Sequence, residues 1–295
     1  MSVVVVSDCE QDAQRSWRTE RSVLQALARQ DLREPFEVIL VEHERYRSEI
    51  PPDLPQICPR FRIVFSAERQ SAKLKNVGAG RANTELVAVL DADCVPNDGW
   101  LSSLVTVLRE RTNVSAASGR THYGEENSYR RALSLVDRSF DDLGRPGFTP
   151  RVSTNAALYR RGLLARFPYP ESATPFGAAM LRMQAMARAG DVRFFFEPAA
   201  VVRHAIGGWD SIRDFRRHIG YIDMMADPRL RSIPALLWRR LAFHGRDCLR
   251  LGPRYLRWYD WPLATAFLAA TPFLQVPGML DAWRRRDAIP HTSFF

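Results

Sequence analysis

The stretch Glu85-Leu86-Val87-Ala88-Val89-Leu90-Asp91-Ala92-Asp93 decides the fold, because an unbroken apolar run ends in two carboxylates two residues apart. A run that is apolar on both faces predicts a buried strand of a parallel sheet. On an extended segment Asp91 and Asp93 point the same way, and open α/β sheets bind ligands just beyond such strand ends. Paired carboxylate oxygens suit Mg²⁺ or Mn²⁺ and the phosphates that the cation carries. An ordinary turn is the alternative, since Pro96-Asn97-Asp98-Gly99 follows at once.

The surrounding sequence alternates between apolar strands and amphipathic helices. Strands are predicted at 2–7, 37–42 and 62–65, with helices over 14–29 and through Lys73, Lys75 and Asn76. Strand-helix alternation of this kind predicts an α/β fold with a doubly wound, mostly parallel, Rossmann-like sheet.

Composition indicates an ordinary globular protein. The chain has 295 residues, of which 46% are hydrophobic and 25% are charged. Its cysteines, Cys9, Cys58, Cys94 and Cys248, form no CxxC pair, so the spacing indicates neither a zinc site nor a disulfide framework. The N-terminus has no basic-then-apolar signal segment. Reduced thiols and a cytoplasmic location are therefore expected.

The net charge of +9 suits nucleic acid, an anionic membrane or a diphosphate substrate. Nucleic acid is disfavoured because the arginines are dispersed and no binding module is recognisable. Residues 261–280 contain no charge and approach the ~20 residues that span a bilayer. Because Pro272 and Pro277 would kink a spanning helix, we expect 254–286 to lie peripherally on the inner face of the cytoplasmic membrane. A buried helical hairpin is the alternative. The tryptophans expected at headgroup depth are Trp238, Trp258, Trp261 and Trp283.

Several features occur in an order that resembles a known family. An acidic residue, Glu42, ends the second strand, and Lys75-Asn76-Val77-Gly78 and Asp91-Ala92-Asp93 follow. Further on come the segments 153–161 and 197–204, the second ending in His204. From about residue 2 to residue 221, the chain resembles the inverting GT-A glycosyltransferases of family 2, which use nucleotide-diphosphate sugars.

The resemblance implies a GT-A domain over residues 1–221 and a helical, membrane-proximal tail over 222–295. It implies a UDP-sugar donor, a glycan or lipid-linked acceptor, a role in cell-surface glycan synthesis, and a Mn²⁺ or Mg²⁺ ion held by Asp93 and His204. Lys75 is expected to reach the base or a phosphate, with a solvated helix charge as the alternative. The turn after Glu42 departs from the family pattern, so the identity of the base stays open. The residues expected to bind the nucleotide sugar are Ser7, Glu10, Glu42, Lys75, Asn76, Asp91, Ala92 and Asp93.

One element departs from the family in a way that affects catalysis. The family has an acidic pair at the start of the helix before the late strand, and its Asp is the general base. Here Ala178 and Ala179 occupy these positions, and alanine cannot accept a proton. A helix is expected over 178–189, which is rich in Ala, Leu and Met, with Gly190 ending it. The chain could be a natural pseudoenzyme that only binds or scaffolds, an engineered inactive variant, or an enzyme in which Glu125, Glu171 or Asp191 substitutes. Because loss of a general base costs ~10²–10⁴-fold, a slow enzyme is also compatible.

A cluster of arginines follows His204. Arg213, Arg216 and Arg217 fall on one face of a predicted helix over 210–221. One guanidinium group can donate two parallel hydrogen bonds to the oxygens of a phosphate, so the cluster predicts a diphosphate clamp. The alternative is a solvated basic face partly paired with Asp210 and Asp214.

Overall fold

The computed structural model describes residues 1–7, 16–172, 175–205, 209–226 and 229–284. The strands are β1 (Ser2–Val6), β2 (Glu37–His43), β3 (Phe61–Ser66), β4 (Leu86–Asp91), β5 (Cys94–Pro96), β6 (Ala116–His122), β7 (Gly147–Thr149), β8 (Ala156–Arg160) and β9 (Phe194–His204). The helices are α1 (Arg18–Ala28), α2 (Ser71–Arg81), α3 (Trp100–Glu110), α4 (Ser128–Arg138), α5 (Arg161–Arg166), α6 (Pro175–Ala189), α7 (Trp209–Ala226), α8 (Ile233–Tyr255) and α9 (Trp261–Arg284).

The strands form one mixed sheet in the order β3-β2-β1-β4-β8-β6-β9-β5, with β7 beside β9. β4 lies inside this sheet, parallel to β1 and antiparallel to β8. Its residues 87–90 are buried because neighbouring strands and helices cover both faces, as the apolar run predicts. The predicted α/β fold with flanking helices and a helical C-terminal segment is confirmed.

Helix α2 packs directly on the sheet through a glycine. A Cβ atom at Gly78 would lie 2.2 Å from Val4 Cγ1 and 2.8 Å from Val41 Cγ2. Only a residue without a side chain allows this close approach of helix and strand. The glycine of the Lys75–Gly78 element therefore fixes how α2 lies over β1 and β2, and with it the position of Lys75.

The contacts divide the chain into two compact units. The first comprises Met1–Thr121 and Asp141–Ala205, and contains most of the sheet. The second comprises His122–Phe140 and the described residues after 205. The predicted domain division between residues 221 and 222 stays a prediction.

The second unit is helical, and α9 is its most apolar element. The helix continues through Pro272 and Pro277, so the alternative of a helical hairpin is wrong for the described residues 261–284. The stretch Trp258–Arg284 is long and apolar enough to cross a membrane by length and composition, and 33% of its most apolar window is buried. Trp238 and Trp258 are exposed, whereas Trp261 and Trp283 pack against buried side chains within the unit.

Helices α7 and α9 approach each other at backbone distance. A Cβ atom at Gly220 would lie 2.0 Å from the carbonyl oxygen of Gln275, and one at Gly278 would lie 1.8 Å from that of Arg217. Because neither position has room for a methyl group, this crossing depends on both glycines.

We expect Gly278→Ala to destabilise the protein by about 1–3 kcal/mol, because the added methyl group must push α7 and α9 apart. Gly245→Ala in α8 is the matched control, since the nearest atom to its new Cβ is Leu268 Cδ2 at 3.8 Å. That variant should be neutral or up to about 1 kcal/mol more stable, because alanine favours helices. Chemical unfolding measures both variants, and equal effects would contradict the close crossing.

Candidate functional site

Two predicted nucleotide-binding residues meet where β1 and β2 end. Ser7 Oγ donates a hydrogen bond of 3.0 Å to Glu42 Oε1, and the backbone N–H of His43 donates to the same oxygen at 2.7 Å. Both side chains are fully buried because β1 and β2 are parallel neighbours inside the sheet. The structure brings Ser7 and Glu42 together, while Glu10 lies outside the described residues. Their contacts with a nucleotide stay predictions.

A buried ion pair joins α2 to the end of β4. Lys75 Nζ lies 2.8 Å from Asp91 Oδ1, and the lysine side chain is only 6% exposed. The alternative of a solvated helix charge is therefore wrong. Burial by itself lowers the pKa of Lys75, but attraction to Asp91 outweighs it and raises the pKa above its usual value. The pair thus stays charged at neutral pH and holds both groups in place.

The segment before β8 supports this ion pair. Lys75 Nζ donates to the carbonyl oxygen of Thr154 at 2.8 Å, and the backbone N–H of Asp91 donates to that of Asn155 at 2.8 Å. Asn76 uses both ends of its amide on the backbone of Tyr169, with two bonds of 2.8 Å. Lys75 and Asn76 thus have a structural role that the sequence did not reveal, and their contacts with a ligand stay predictions.

Asp93 and His204 face each other across a strand pair. β5 begins directly after Ala92 and Asp93 and runs antiparallel to β9, with Cys94 opposite His204. Asp93 Oδ2 lies 3.3 Å from His204 Nε2, while His204 Nδ1 lies 2.8 Å from the carbonyl oxygen of Ala205. A carbonyl oxygen can only accept, so Nδ1 carries a proton, and Nε2 faces the carboxylate either as a lone pair or, in the imidazolium form, as a second donor.

Two lone pairs at this distance repel each other unless a cation lies between them. A divalent metal or a second imidazole proton would remove the repulsion. The two metal ligands predicted from the sequence are therefore brought together in a geometry that suits a cation.

A thiol that the sequence argument set aside lies at the same place. Cys94 Sγ is 3.3 Å from Asp93 Oδ1, and ligand atoms of Asp93, Cys94 and His204 all lie within 4.8 Å of one another. The spacing rule for cysteine pairs missed this group because His204 joins it only through the register of β5 and β9. The available signal was that Cys94 directly follows a predicted ligand.

The alanine pair lies in the first turns of α6, and the predicted helix is confirmed. It ends at Ala189, and Gly190 follows with a φ of +74°, as expected of a C-terminal glycine. Ala178 is fully buried against Ala72 and Tyr169, with Ala179 partly buried beside it. No residue of α6 is acidic. A proton acceptor at the predicted catalytic position would therefore have to come from outside this helix.

One turn after Ala178, α6 carries a buried cation. Arg182 is 1% exposed, and its guanidinium group lies 4.5 Å from the centre of the Tyr169 ring and 5.0 Å from that of Tyr159. Its Nε donates to the carbonyl oxygen of Phe167 at 2.7 Å. Among the described residues, Arg182 has no carboxylate partner.

Three carboxylates are candidates to replace the missing general base, and each lies outside α6. Asp191 pairs with Arg166 at 2.6 Å, and this hydrogen bond lowers the pKa of Asp191, which makes it a weaker proton acceptor. Glu171 is 93% exposed and lies 3.9 Å from Lys73. Glu125 belongs to the second unit. The surroundings of Asp191, Glu171 and Glu125 therefore do not single out any of them as the general base.

The predicted phosphate clamp needs correction. Arg216 is buried and forms an ion pair with Asp137, which also accepts a 3.2 Å hydrogen bond from the hydroxyl of Tyr123. The interpretation of three arginines on one open face is therefore wrong for Arg216, because its side of α7 packs inside the second unit. Arg217 bonds Asp281 at 2.8 Å, and the exposed Arg213 lies 3.7 Å from Asp214. Of the three arginines of the predicted clamp, Arg213 and Arg217 are exposed and Arg216 is not.

The solved mannosyltransferase PcManGT from Pyrobaculum calidifontis, in complex with GDP-Man and Mn²⁺, is similar over 98% of this chain and 87% of that chain, with 18% identity and a TM-score of 0.55. TarS 1–349 of S. aureus in complex with UDP is more distant, with 14% identity and a TM-score of 0.45 over 98% of this chain and 92% of that chain. No curated protein matches the chain. The likeness to the mannosyltransferase shows a shared GT-A fold. The family model for glycosyl transferase family 2 matches residues 3–167, more than half of the chain. The chain therefore belongs to glycosyl transferase family 2.

Proposed function

We propose that this protein binds a nucleotide-diphosphate sugar together with Mn²⁺ or Mg²⁺, and that Asp93 and His204 hold the cation. The observation that carries the proposal is the 3.3 Å approach of Asp93 Oδ2 to His204 Nε2, whose ring is oriented by the contact of Nδ1 with the carbonyl oxygen of Ala205. A solved protein of the same fold contains GDP-Man and Mn²⁺, which supports a nucleotide sugar and a cation as ligands. UDP is the expected nucleotide, with GDP as the second to be tested.

The residues around the site have separate tasks under this proposal. A bound divalent cation neutralises charge on the diphosphate leaving group. Asp93 and His204 hold the cation, and the bond from His204 Nδ1 to Ala205 keeps Nε2 directed at it. Lys75 fixes the carboxylate of Asp91 at the end of β4, where Asp91 would face the ribose of the donor. Ser7 and Glu42, which are buried at the ends of β1 and β2, would border the position of the base.

We further propose that transfer is impaired or lost in this form, because Ala178 and Ala179 stand where the proton acceptor is expected. The observation in favour is that Ala178 is sealed against Ala72 and Tyr169 in a helix without any acidic residue. A protein with this site would bind the donor and transfer its sugar slowly. A non-catalytic binding or scaffolding role is the second candidate, favoured by the same observation.

Calorimetry followed by an activity assay tests both functions. Titration with UDP and with GDP, each with and without Mn²⁺, should show binding that strengthens when the cation is present. Hydrolysis of the matching nucleotide sugar then separates slow turnover from none. If neither nucleotide binds at millimolar concentration, with or without cation, both candidate functions are rejected.

We also propose that the second unit contacts the inner face of the cytoplasmic membrane, where a glycan or lipid-linked acceptor for a cell-surface polymer would be found. Trp238, Trp258 and Phe273 are 70%, 84% and 71% exposed, so these large apolar side chains are available to insert at a lipid interface. With the apolar α9 and the surrounding arginines, they suit an anionic lipid surface.

Vesicle flotation measures this contact. The protein should float with vesicles that contain phosphatidylglycerol. The double variant Trp238→Ser with Trp258→Ser should bind about tenfold or more weakly, because two aromatic side chains no longer enter the lipid layer. Phe148→Ser, at a 51% exposed position of the first unit, is the control and should have no effect. Equal binding by all three proteins would exclude these tryptophans from the contact.

A further inference from the structure

Cys94 is placed to act on the same ligand as Asp93 and His204. It lies directly opposite His204 in the β5–β9 pair, so both side chains project from the same face of the sheet. Its sulfur is 3.3 Å from one oxygen of Asp93, while the other oxygen is 3.3 Å from His204 Nε2. The carboxylate of Asp93 therefore lies between a thiol and an imidazole.

These separations are those of neighbouring ligand atoms around one small cation. Bonds of about 2.0–2.3 Å to oxygen, nitrogen and sulfur in a tetrahedral arrangement separate adjacent ligand atoms by roughly 3.3–3.8 Å. Each measured distance matches this value but involves a different oxygen of Asp93, and one ligand atom from each of the three residues lies within 4.8 Å of the others. Small side-chain rotations would complete the arrangement, and a fourth position would remain for water or an oxygen of the diphosphate.

We propose that Cys94 is a third protein ligand, and that the Asp93–Cys94–His204 group binds thiophilic divalent cations such as Zn²⁺ and Co²⁺ more tightly than Mg²⁺. The inference deepens the proposed function, because it rests on the assignment of Asp93 and His204 as cation ligands. Thiolate and imidazole ligands select Zn²⁺ and Co²⁺, whereas Mg²⁺ requires oxygen. On binding, the Sγ–H bond breaks, the proton leaves to solvent, and a metal–sulfur bond forms, with no change of oxidation state.

A simpler role for the buried thiol is the competing explanation. Cys94 is 0% exposed, and its S–H is directed at Asp93 Oδ1 as a weak hydrogen-bond donor. In that role the thiol would orient Asp93 without touching the cation. The two roles differ in one observable, which is whether sulfur is bonded to the metal.

Optical titration with Co²⁺, with and without UDP or GDP, reads this bond directly. Wild-type protein should develop sulfur-to-cobalt charge-transfer absorption in the near ultraviolet, and Zn²⁺ should abolish it by displacement. Cys94→Ser should lose this absorption and bind Zn²⁺ at least about tenfold more weakly, while its Mn²⁺ affinity changes less than about threefold. Cys58→Ser is the matched control at a buried thiol outside the group, and Cys9→Ser tests a cysteine that lies outside the described residues. Both should retain the absorption.

Three results overturn the inference, and one of them also removes its basis. Cobalt that binds and is displaced by Mn²⁺ without any charge-transfer absorption would assign Cys94 to the hydrogen-bonding role. Absorption that survives Cys94→Ser but not Cys9→Ser would assign the bond to a different thiol. If wild-type protein binds neither Co²⁺ nor Mn²⁺, and so behaves like Asp93→Asn, the cation site of the proposed function fails as well. Circular dichroism establishes that each variant is folded.

Discussion

Replacing Ala178 with Glu and Ala179 with Asp should raise sugar transfer by roughly 10²–10⁴-fold, the usual contribution of a positioned general base. Both residues lie in the first turns of α6, where the helix dipole favours a carboxylate. The measurement is turnover of the nucleotide sugar that calorimetry identifies, with a valid acceptor, in protein that binds nucleotide as the parent does.

The structure also changes the expected effect of this replacement on stability. Ala178 is fully buried, so a glutamate there must find a partner inside the protein. Arg182 lies one turn later on the same helix and has no carboxylate partner among the described residues. A glutamate four residues before an arginine is the favourable order for a helical ion pair. We therefore expect Ala178→Glu to be tolerated, and to become destabilising when Arg182 is changed to Met.

The single variants separate the two contributions. Ala179→Asp alone should provide most of the rate gain, because it supplies the expected proton acceptor, while Ala178→Glu alone should mainly alter stability. A folded double variant that binds nucleotide but gains no rate with a valid acceptor would show that the missing base is not the cause. The non-catalytic binding role would then be favoured.

Asp93→Asn should weaken cation-dependent nucleotide binding by about 100-fold or more, because it removes one charge and one ligand oxygen at nearly constant shape. Loss of a residue that merely supports a ligand already costs ~10–100-fold in metal affinity. Binding without a cation should hardly change. Calorimetry in the presence of Mn²⁺, and again in the presence of a chelator, gives both values.

Asp91→Asn is the informative comparison for this prediction. Its main effect should be on stability, since it leaves the buried Lys75 without its ion-pair partner at a cost of about 3–5 kcal/mol. Equal loss of nucleotide affinity in Asp93→Asn with and without cation would instead assign Asp93 to the structure of the loop after β4.

Much of the fold follows from local sequence patterns. The run before Asp91 is apolar on both faces, which requires cover on both sides and therefore an interior strand. The helix that Gly190 ends was likewise readable from alanine-rich composition and a terminal glycine. These features depend on neighbours within a few residues, and they were predicted correctly.

The details of the site depend on contacts between distant residues, which local patterns do not encode. Lys75 follows a helical charge pattern that is typical of solvent exposure, yet α2 lies so close to β1 that its side chain is buried beside Asp91. Arg216 has the spacing of an exposed basic face but is paired with Asp137 from another helix. Cys94 joins Asp93 and His204 only through strand register. In each case the decisive partner is remote in sequence.

The glycine crossing of α7 and α9 has a consequence for how the protein could enter a lipid layer. A lone apolar helix can be extracted from its domain and threaded across a bilayer, but α9 shares a backbone surface with α7, and α7 bears charged side chains such as Arg213 and Arg217. Moving α9 into the hydrocarbon region would either separate it from α7 or bring the charged side chains of α7 into the hydrocarbon, and both are costly in free energy. Shallow immersion of the two helices as one body avoids both penalties.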